Sequence, residues 1–178
     1  MRALGGTGKF LATLEELSWR VVPPVEDAGL PAQVIARYGA LPADLVAFIS
    51  SFARCTNPTD EAWFVSASDL SHAEAFRFDE FEFMSLEAAA SDAEQAAIRA
   101  FWQTHFPFYL CVAGSYQYFA LSLAGASRGN VVYGYAPEFE ECTPVASSLA
   151  GFWDAFLAAL RSPTPTYPFN LAIPQRTA

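Results

Sequence analysis

The sequence predicts a single α+β domain in which a mainly antiparallel, twisted sheet is packed by helices. Two apolar, alternating or β-branched runs, Tyr116–Leu123 and Val131–Tyr135, flank a turn at 125–130 and predict a pair of antiparallel strands. A third set of apolar residues recurs at the three-and-four spacing of an amphipathic helix with Ser148 as its N-cap: Leu149, Phe152, Trp153, Phe156, Leu157 and Leu160. A chain of 178 residues with 53% hydrophobic residues has enough apolar material for the core of one domain.

The N-terminal part of the chain predicts three helices. Three glycines among the first ten residues predict a flexible start, followed by a short helix over Leu11–Trp19. A second helix is expected over Pro31–Tyr38, because proline is favoured at a helix start and Gly39 is well suited to follow its end. A third helix begins at Pro42 and presents one apolar face.

The middle of the chain gives weaker signals. A strand is expected over Trp63–Ser66. Phe76–Met84 alternates apolar and polar residues, but the alternation slips by one position, so a strand, a bulge and a loop all remain open. Ser91 and Glu94 have the spacing of a capping box, which predicts a helix over Ala96–Gln103.

The chain ends in a proline-rich stretch. Four prolines fall within a short span after Leu160, so we expect this tail to be extended, either loose or laid over the body of the protein. The chain is therefore divided into an N-terminal, partly helical extension (residues 1–29), an α+β domain (residues 30–160) and a proline-rich tail (residues 161–178).

The charge balance bears on the class of partner. Nineteen acidic and ten basic residues give a formal net charge of −9, which disfavours direct attachment to nucleic acid or to an anionic membrane. An acidic surface suits a basic protein partner, although acidity also keeps an aromatic-rich protein soluble. No run of about 20 apolar residues occurs, so we expect no membrane span.

Cysteines and histidines predict neither a metal site nor a nucleophile. Cys55, Cys111 and Cys142 lack metal-binding spacing and are expected to be reduced, buried thiols of a cytoplasmic protein. With only His72 and His105 available, no metal or other cofactor is expected. We reject a nucleophilic pair of Cys111 with His105, because Cys111 lies within a predicted apolar strand. The sequence therefore predicts a protein without a catalytic centre.

Three acidic residues, Glu138, Glu140 and Glu141, are the first candidate binding residues. In an extended segment Glu138 and Glu140 would project to one side, and Phe139 and Glu141 to the other. Their carboxylates can form charge-assisted hydrogen bonds with arginine or lysine of a partner, or they can simply form a solvated edge. Paired acid and base catalysis is the least favoured interpretation, because nothing nearby in the sequence separates their pKa values.

Tyrosines are the second group of candidate binding residues. Tyr116, Tyr118, Tyr133 and Tyr135 have a period of two in each strand, so pairing of the strands across the turn would place them on one sheet face. Such tyrosines are either half-buried core residues or part of a protein interface. Trp63 belongs to the same hypothesis.

Four segments in order resemble a known family. They are YGALPADLVAFISSF (38–52), AWFVSASDL (62–70), FPFYLCVAGSYQYFALSL (106–123), and GNVVYGYAPEFEE (129–141) with the helix that follows it. Over roughly Leu30–Leu160 this order resembles the SUKH superfamily, which includes bacterial immunity proteins and Smi/Knr-type regulators of yeast cell-wall synthesis. An Asn-Gly pair that often closes the Leu-Pro helix in that family is replaced here by residues 53–58.

The resemblance implies a SUKH-like fold and a function. Members of the family bind and neutralise a cognate toxin, often a nuclease or deaminase, inside the cell that makes it. Our first hypothesis is therefore a non-catalytic, cytoplasmic immunity protein for a basic bacterial toxin domain. The alternatives are a regulatory scaffold, as the eukaryotic relatives are thought to be, and, less favoured, a small hydrolase or ligand-binding protein.

Overall fold

The computed structural model describes residues 4–24, 29–71 and 76–174. The helices are α1 (Leu4–Glu16), α2 (Ala32–Tyr38), α3 (Ala43–Ile49), α4 (Glu80–Ala88), α5 (Asp92–Thr104), α6 (Leu149–Arg161) and α7 (Phe169–Ala172). The strands are β1 (Arg20–Val22), β2 (Arg54–Thr56), β3 (Ala62–Phe64), β4 (His105–Cys111), β5 (Gln117–Ser122), β6 (Val131–Tyr135) and β7 (Thr143–Ala146). All seven strands form one antiparallel sheet in chain order, which confirms the predicted α+β fold.

Helices cover both faces of the sheet. Consecutive residues of a strand point to opposite faces, so Tyr118 and Phe119 of β5 mark the two sides. The ring of Phe119 packs against Phe152 of α6 with centroids 4.8 Å apart, whereas that of Tyr118 packs against Trp102 of α5 at 5.0 Å. Helix α1 joins α6 on the first face, and α4 packs beside α5 on the second.

Most aromatic residues belong to the core. In the described residues the twelve largest fully buried side chains are all aromatic. Four aromatic side chains nevertheless remain substantially exposed: Phe83, Tyr116, Tyr135 and Tyr167. A phenylalanine-rich core therefore coexists with separate exposed rings.

The N-terminal helix starts earlier than predicted. Helix α1 begins at Leu4 and not at Leu11, so the expected flexible start is wrong for the described residues 4–10. Buried Phe10 and Leu14 explain the difference, because packing of an apolar face outweighs the low helix propensity of the glycines. Helices α2 and α3 agree with prediction, and residues 53–58 contain strand β2.

The segment 76–84 resolves into a loop followed by a helix. Its residues from Glu80 onward belong to helix α4, and a helix was not among the predicted alternatives of strand, bulge and loop. Phe81 and Ser85 are both buried and lie one helical turn apart, whereas Phe76 and Phe78 precede the helix. The slipped alternation therefore reflects a change from loop to helix.

Helix α5 has the predicted N-cap. The Ser91 Oγ accepts a hydrogen bond from the Glu94 backbone N–H at 3.2 Å. The helix runs on to Thr104 and passes directly into β4, which contains Pro107 next to a break in strand register. Proline is tolerated there because the irregularity frees its position from the regular ladder.

The proline-rich tail lies on the body of the protein. Phe169, Ala172 and Ile173 are buried, and Tyr109 donates a hydrogen bond from its hydroxyl to the Ala172 carbonyl at 2.7 Å. The short helix α7 means that the tail is not wholly extended. Segments before and after residues 30–160 thus contribute to the same core. Within the described residues, no helix has both the length and the apolarity needed to cross a membrane.

Candidate protein-binding site

The four candidate tyrosines do not share a face of the sheet. In the pairing of β5 with β6, Tyr133 lies opposite Phe119, and Tyr118 lies opposite Gly134. Because Tyr118 and Phe119 point to opposite faces, Tyr118 and Tyr133 also do. The predicted period of two holds within each strand, but the prediction of one tyrosine-lined face is wrong. Strand register, which the two separate runs of residues do not reveal, decides this outcome.

Two of these tyrosines are core residues. The Tyr118 hydroxyl donates to the Phe139 carbonyl, and the Tyr133 hydroxyl donates to Gln117 Oε1 at 2.7 Å. Both side chains are buried, and burial raises the pKa of both phenols above the usual value. Tyr118 and Tyr133 are therefore unavailable to a partner.

Tyr116 and Trp63 lie near each other on the face that α4 and α5 cover. Both rings contact Phe76, at centroid distances of 6.1 Å for Tyr116 and 5.5 Å for Trp63. Tyr116 also contacts Phe81 of α4 and keeps 38% of its surface exposed, whereas Trp63 is half-buried. These two candidates form one aromatic surface.

Tyr135 belongs to a second aromatic surface on the other side of the sheet. Its ring stacks on that of Tyr133 with centroids 5.8 Å apart. The ring of Tyr167, in the C-terminal tail, packs edge-on against the Tyr133 ring at 5.7 Å. Both Tyr135 and Tyr167 are exposed. Tyr167 was not among the predicted site residues, because only the folded tail brings it there.

The three candidate glutamates lie on a tight turn, which we call the acidic turn (residues 137–141). The Glu141 backbone N–H donates to the Glu138 carbonyl at 3.1 Å, so the predicted extended conformation is wrong. Phe139 anchors the turn, because its buried ring stacks on Phe81 with centroids 4.8 Å apart and an interplanar angle of 11°. The buried Phe139 ring thereby holds the turn against α4.

Each glutamate of the acidic turn has its own environment. Glu140 is half-buried, and its Oε1 accepts a hydrogen bond from the Trp102 indole Nε1–H at 2.7 Å. Glu138 and Glu141 are exposed and pair with no basic side chain in the described part of the chain. Glu140 therefore supports the buried indole, whereas Glu138 and Glu141 are free to meet a partner.

A groove of about 350 Å³ is lined by residues of the acidic turn, of α4 and its C-terminal end, and of α5. Small apolar residues of the two helices, together with Ile98, form its walls. Its polar side chains are Ser85, Glu94 and the three glutamates of the acidic turn. Ser85 and Glu94 were missed as site residues; the capping-box spacing identified Glu94 only as a helix-start residue.

Phe81 connects the groove with the exposed aromatic surface. Its ring contacts Phe139 of the acidic turn on one side and Tyr116 on another. The structure therefore brings Trp63, Tyr116 and the acidic turn to one side of the molecule, and it leaves Tyr135 on the other.

A second cavity, of about 500 Å³, lies between α2 and the start of α4. Arg37 and Arg77 line it, but each already pairs with a carboxylate: Arg37 with Glu82 and Arg77 with Asp79. Both guanidinium groups are therefore paired, whereas the carboxylates of Glu138 and Glu141 have no basic partner in the described part of the chain. We therefore take the groove as the stronger candidate.

Cys111 and His105 are not positioned to act together. They occupy the two ends of β4, so the strand separates them by about 20 Å. Burial raises the pKa of the Cys111 thiol to about 11, which keeps it protonated at neutral pH. His72 lies outside the described residues. Among those described, no group of three or more His, Cys, Asp or Glu side chains is placed to hold a metal ion.

No protein-family model and no curated protein matches this sequence. The resemblance to the SUKH superfamily thus depends on the order of four segments, which in the structure carry α3, β3, the β4–β5 pair, and β6 followed by the acidic turn.

Proposed function

We propose that this chain is a non-catalytic protein-binding module that neutralises a basic bacterial toxin in the cytoplasm of the producing cell. The observation that carries the proposal is the pair of exposed carboxylates, Glu138 and Glu141, on a turn held by the buried Phe139 ring. The resemblance to the SUKH superfamily and the net charge of −9 support the choice of a basic toxin as partner.

A rigid acidic turn suits recognition of a basic protein. Stacking on Phe81 and the hydrogen bond from Tyr118 hold the turn before any partner arrives, so little conformational entropy is lost on binding. Arginine or lysine of the partner can then form charge-assisted hydrogen bonds with Glu138 and Glu141.

The neighbouring aromatic surface complements the charges. The exposed Tyr116 contacts Phe81, on which the Phe139 ring of the turn stacks, and the half-buried Trp63 follows through Phe76. Tyrosine and tryptophan are favoured at the energetic centres of protein interfaces. We therefore assign Tyr116, Trp63 and the acidic turn to one interface.

A growth-rescue assay tests the proposal. The protein encoded immediately beside this gene is expressed in a sensitive host, alone and together with this chain. We expect growth arrest by the neighbour alone, growth with this chain present, and a complex recoverable from the rescued cells. A harmless neighbour, or arrest that this chain does not relieve, would contradict immunity to that neighbour.

Charge reversal tests the interface. The variant Glu138→Lys with Glu141→Lys should lose rescue and weaken complex formation. Its control is Glu15→Lys with Glu16→Lys, which changes the net charge equally on α1, beyond the opposite face of the sheet. Full rescue and unchanged affinity in the first variant would show that the acidic turn is not the interface.

A regulatory scaffold is the second candidate function, and one observation favours it. The exposed rings of Tyr135 and Tyr167 form an aromatic surface on the other side of the sheet from the acidic turn. A scaffold with two surfaces should capture two different proteins, one lost with Tyr135→Ser and Tyr167→Ser and the other with the acidic-turn variant. Loss of the same single protein in both variants would contradict the scaffold.

A further inference from the structure

We propose that the groove beside the acidic turn receives an arginine side chain of the partner, with Ser85 accepting one of its hydrogen bonds. This inference rests on the proposed function, because it specifies how the same surface recognises a basic protein.

The groove presents hydrogen-bond acceptors of one charge. Its polar side chains are four carboxylates and one hydroxyl, and no lysine, arginine or histidine of residues 4–24, 29–71 or 76–174 lines it. Guanidinium and ammonium groups carry only donors, so they match such a lining. An anionic or acceptor-rich ligand would be repelled.

Ser85 supplies an observation independent of the acidic residues. Its side chain lies in the groove wall and is only 8% exposed, yet its Oγ has no hydrogen-bond partner in the described part of the chain. Buried hydroxyls are nearly always satisfied, because an unpaired one loses the hydrogen bonds that it makes with water. Because this Oγ has less than 1 Å² of accessible surface, the Ser85 side chain must rotate about its Cα–Cβ bond to meet a donor in the groove.

Two carboxylates of the groove are already fixed in position. Glu94 Oε2 accepts from the Ala90 backbone N–H at 2.7 Å, and Glu140 Oε1 accepts from the Trp102 indole at 2.7 Å. Each bond uses one oxygen of its carboxylate and leaves the other. The groove is therefore preorganised, with acceptors held by the helix start and by the buried indole.

Arginine fits these features better than lysine. Its planar guanidinium has five donors and is more weakly hydrated than an ammonium group, so it can satisfy several fixed acceptors at a smaller desolvation cost. Its methylene groups can lie along the alanine and Ile98 walls. A volume of about 350 Å³ accommodates one such side chain with accompanying water.

The experiment titrates the whole protein with N-acetyl-arginine amide and follows the Trp102 indole N–H signal by NMR, assigned with the Trp102→Phe variant. We expect a saturable shift with a dissociation constant on the order of 1 mM. N-acetyl-lysine amide should bind several-fold more weakly. N-acetyl-citrulline amide, which has nearly the same shape but no charge, should give no saturable shift at equal ionic strength.

Variants test the role of Ser85. Ser85→Ala should weaken arginine binding about three- to tenfold, in line with the loss of one hydrogen bond. Ser115→Ala, at an exposed serine, should leave it unchanged. The NMR spectrum of each variant establishes that it is folded.

Three results would overturn the inference: an unmoved Trp102 signal, an equal response to citrulline, or unaltered affinity in Ser85→Ala. If arginine fails to bind while rescue still depends on Glu138 and Glu141, only the arginine inference fails. If arginine binds but no neighbouring toxin is neutralised, the proposed function fails and the groove assignment stands.

Discussion

Tyr118 links the sheet to the acidic turn through a single side chain. Its ring lies between Trp102 of α5 and Phe81 of α4, and its hydroxyl reaches across Gly134 of the neighbouring strand to the Phe139 carbonyl. Gly134 makes this crossing possible, because a Cβ at this position would overlap the Tyr118 Cζ and Oη atoms. The position of the candidate site therefore depends on one glycine in the adjacent strand.

Substitution of Gly134 by alanine should be strongly destabilising. The added methyl group meets a buried ring whose hydroxyl is also held, so we expect a loss of about 1–3 kcal/mol in the free energy of unfolding. Gly8→Ala is the matched control, because nothing lies within 4 Å of its added Cβ and it lies inside α1. The control should gain about 0.5–1 kcal/mol. Urea unfolding measures the free energy of unfolding of both variants. Equal effects would contradict the close approach of the Tyr118 side chain to Gly134.

His105 should make the protein less stable in mild acid. Burial lowers the pKa of its imidazole, and a hydrogen bond to the Phe101 carbonyl at 3.0 Å only partly opposes this effect. The unfolded chain therefore binds a proton first as the pH falls below about 6.5, so stability is lost in that range. His105→Gln should lose less stability than the native protein between pH 7 and pH 5. Urea unfolding across this range tests it, and parallel curves would be the contrary result.

Individual elements were predictable where local signals agree with packing. Local sequence rules correctly predict the apolar face of α6 and the N-caps at Ser91 and Ser148. They also correctly predict that α2 ends at Gly39. The start of α1 and the helical conformation of α4 are not predicted by the sequence, because glycines and alternating phenylalanines indicate local preference only. Burial of Phe10 and Phe81 against the rest of the molecule determines these helices.

The two serine N-caps provide a matched test at the level of helices. Ser91 Oγ accepts from the Glu94 N–H at 3.2 Å, and Ser148 Oγ accepts from the Gly151 N–H at 3.1 Å. Replacement of either serine by alanine should cost about 1 kcal/mol in the free energy of unfolding. Only Ser91→Ala should also weaken binding of N-acetyl-arginine amide, because Glu94 lines the groove. Equal affinity for N-acetyl-arginine amide in the two variants would show that the α5 cap does not affect binding in the groove.

At the scale of the whole molecule, the sheet is a meander interrupted twice by long helical connections, and the first of these, between β1 and β2, carries α2 and α3. Residues 65–104 between β3 and β4 carry α4 and α5, and the connection between β6 and β7 carries the acidic turn. The groove lies between these two connections, so its residues are distant in sequence. Sequence patterns could identify the glutamates, but the contribution of Ser85 and Glu94 depends on the three-dimensional arrangement of both connections.

The C-terminal tail should be part of the cooperative fold. Phe169 is only 7% exposed and contacts Phe119 of the sheet, whereas Leu171 in the same short helix is 49% exposed. We expect Phe169→Ala to cost about 3–5 kcal/mol and Leu171→Ala to have a much smaller effect, because only the first change opens a cavity. Chemical denaturation measures both. A small effect of Phe169→Ala would mean that the tail is dispensable for stability.

The two free edges of the sheet have a consequence for solubility. An open edge strand offers unpaired backbone groups to other molecules, which favours aggregation. Here β1 has three residues and is followed by Pro23 and Pro24, while β7 has four and includes Pro144, which lacks an N–H. Short, proline-limited edges give an incoming strand few groups to pair with. The short edge strands thus limit uncontrolled strand addition to this aromatic-rich protein, while its exposed side chains remain available for binding a specific partner.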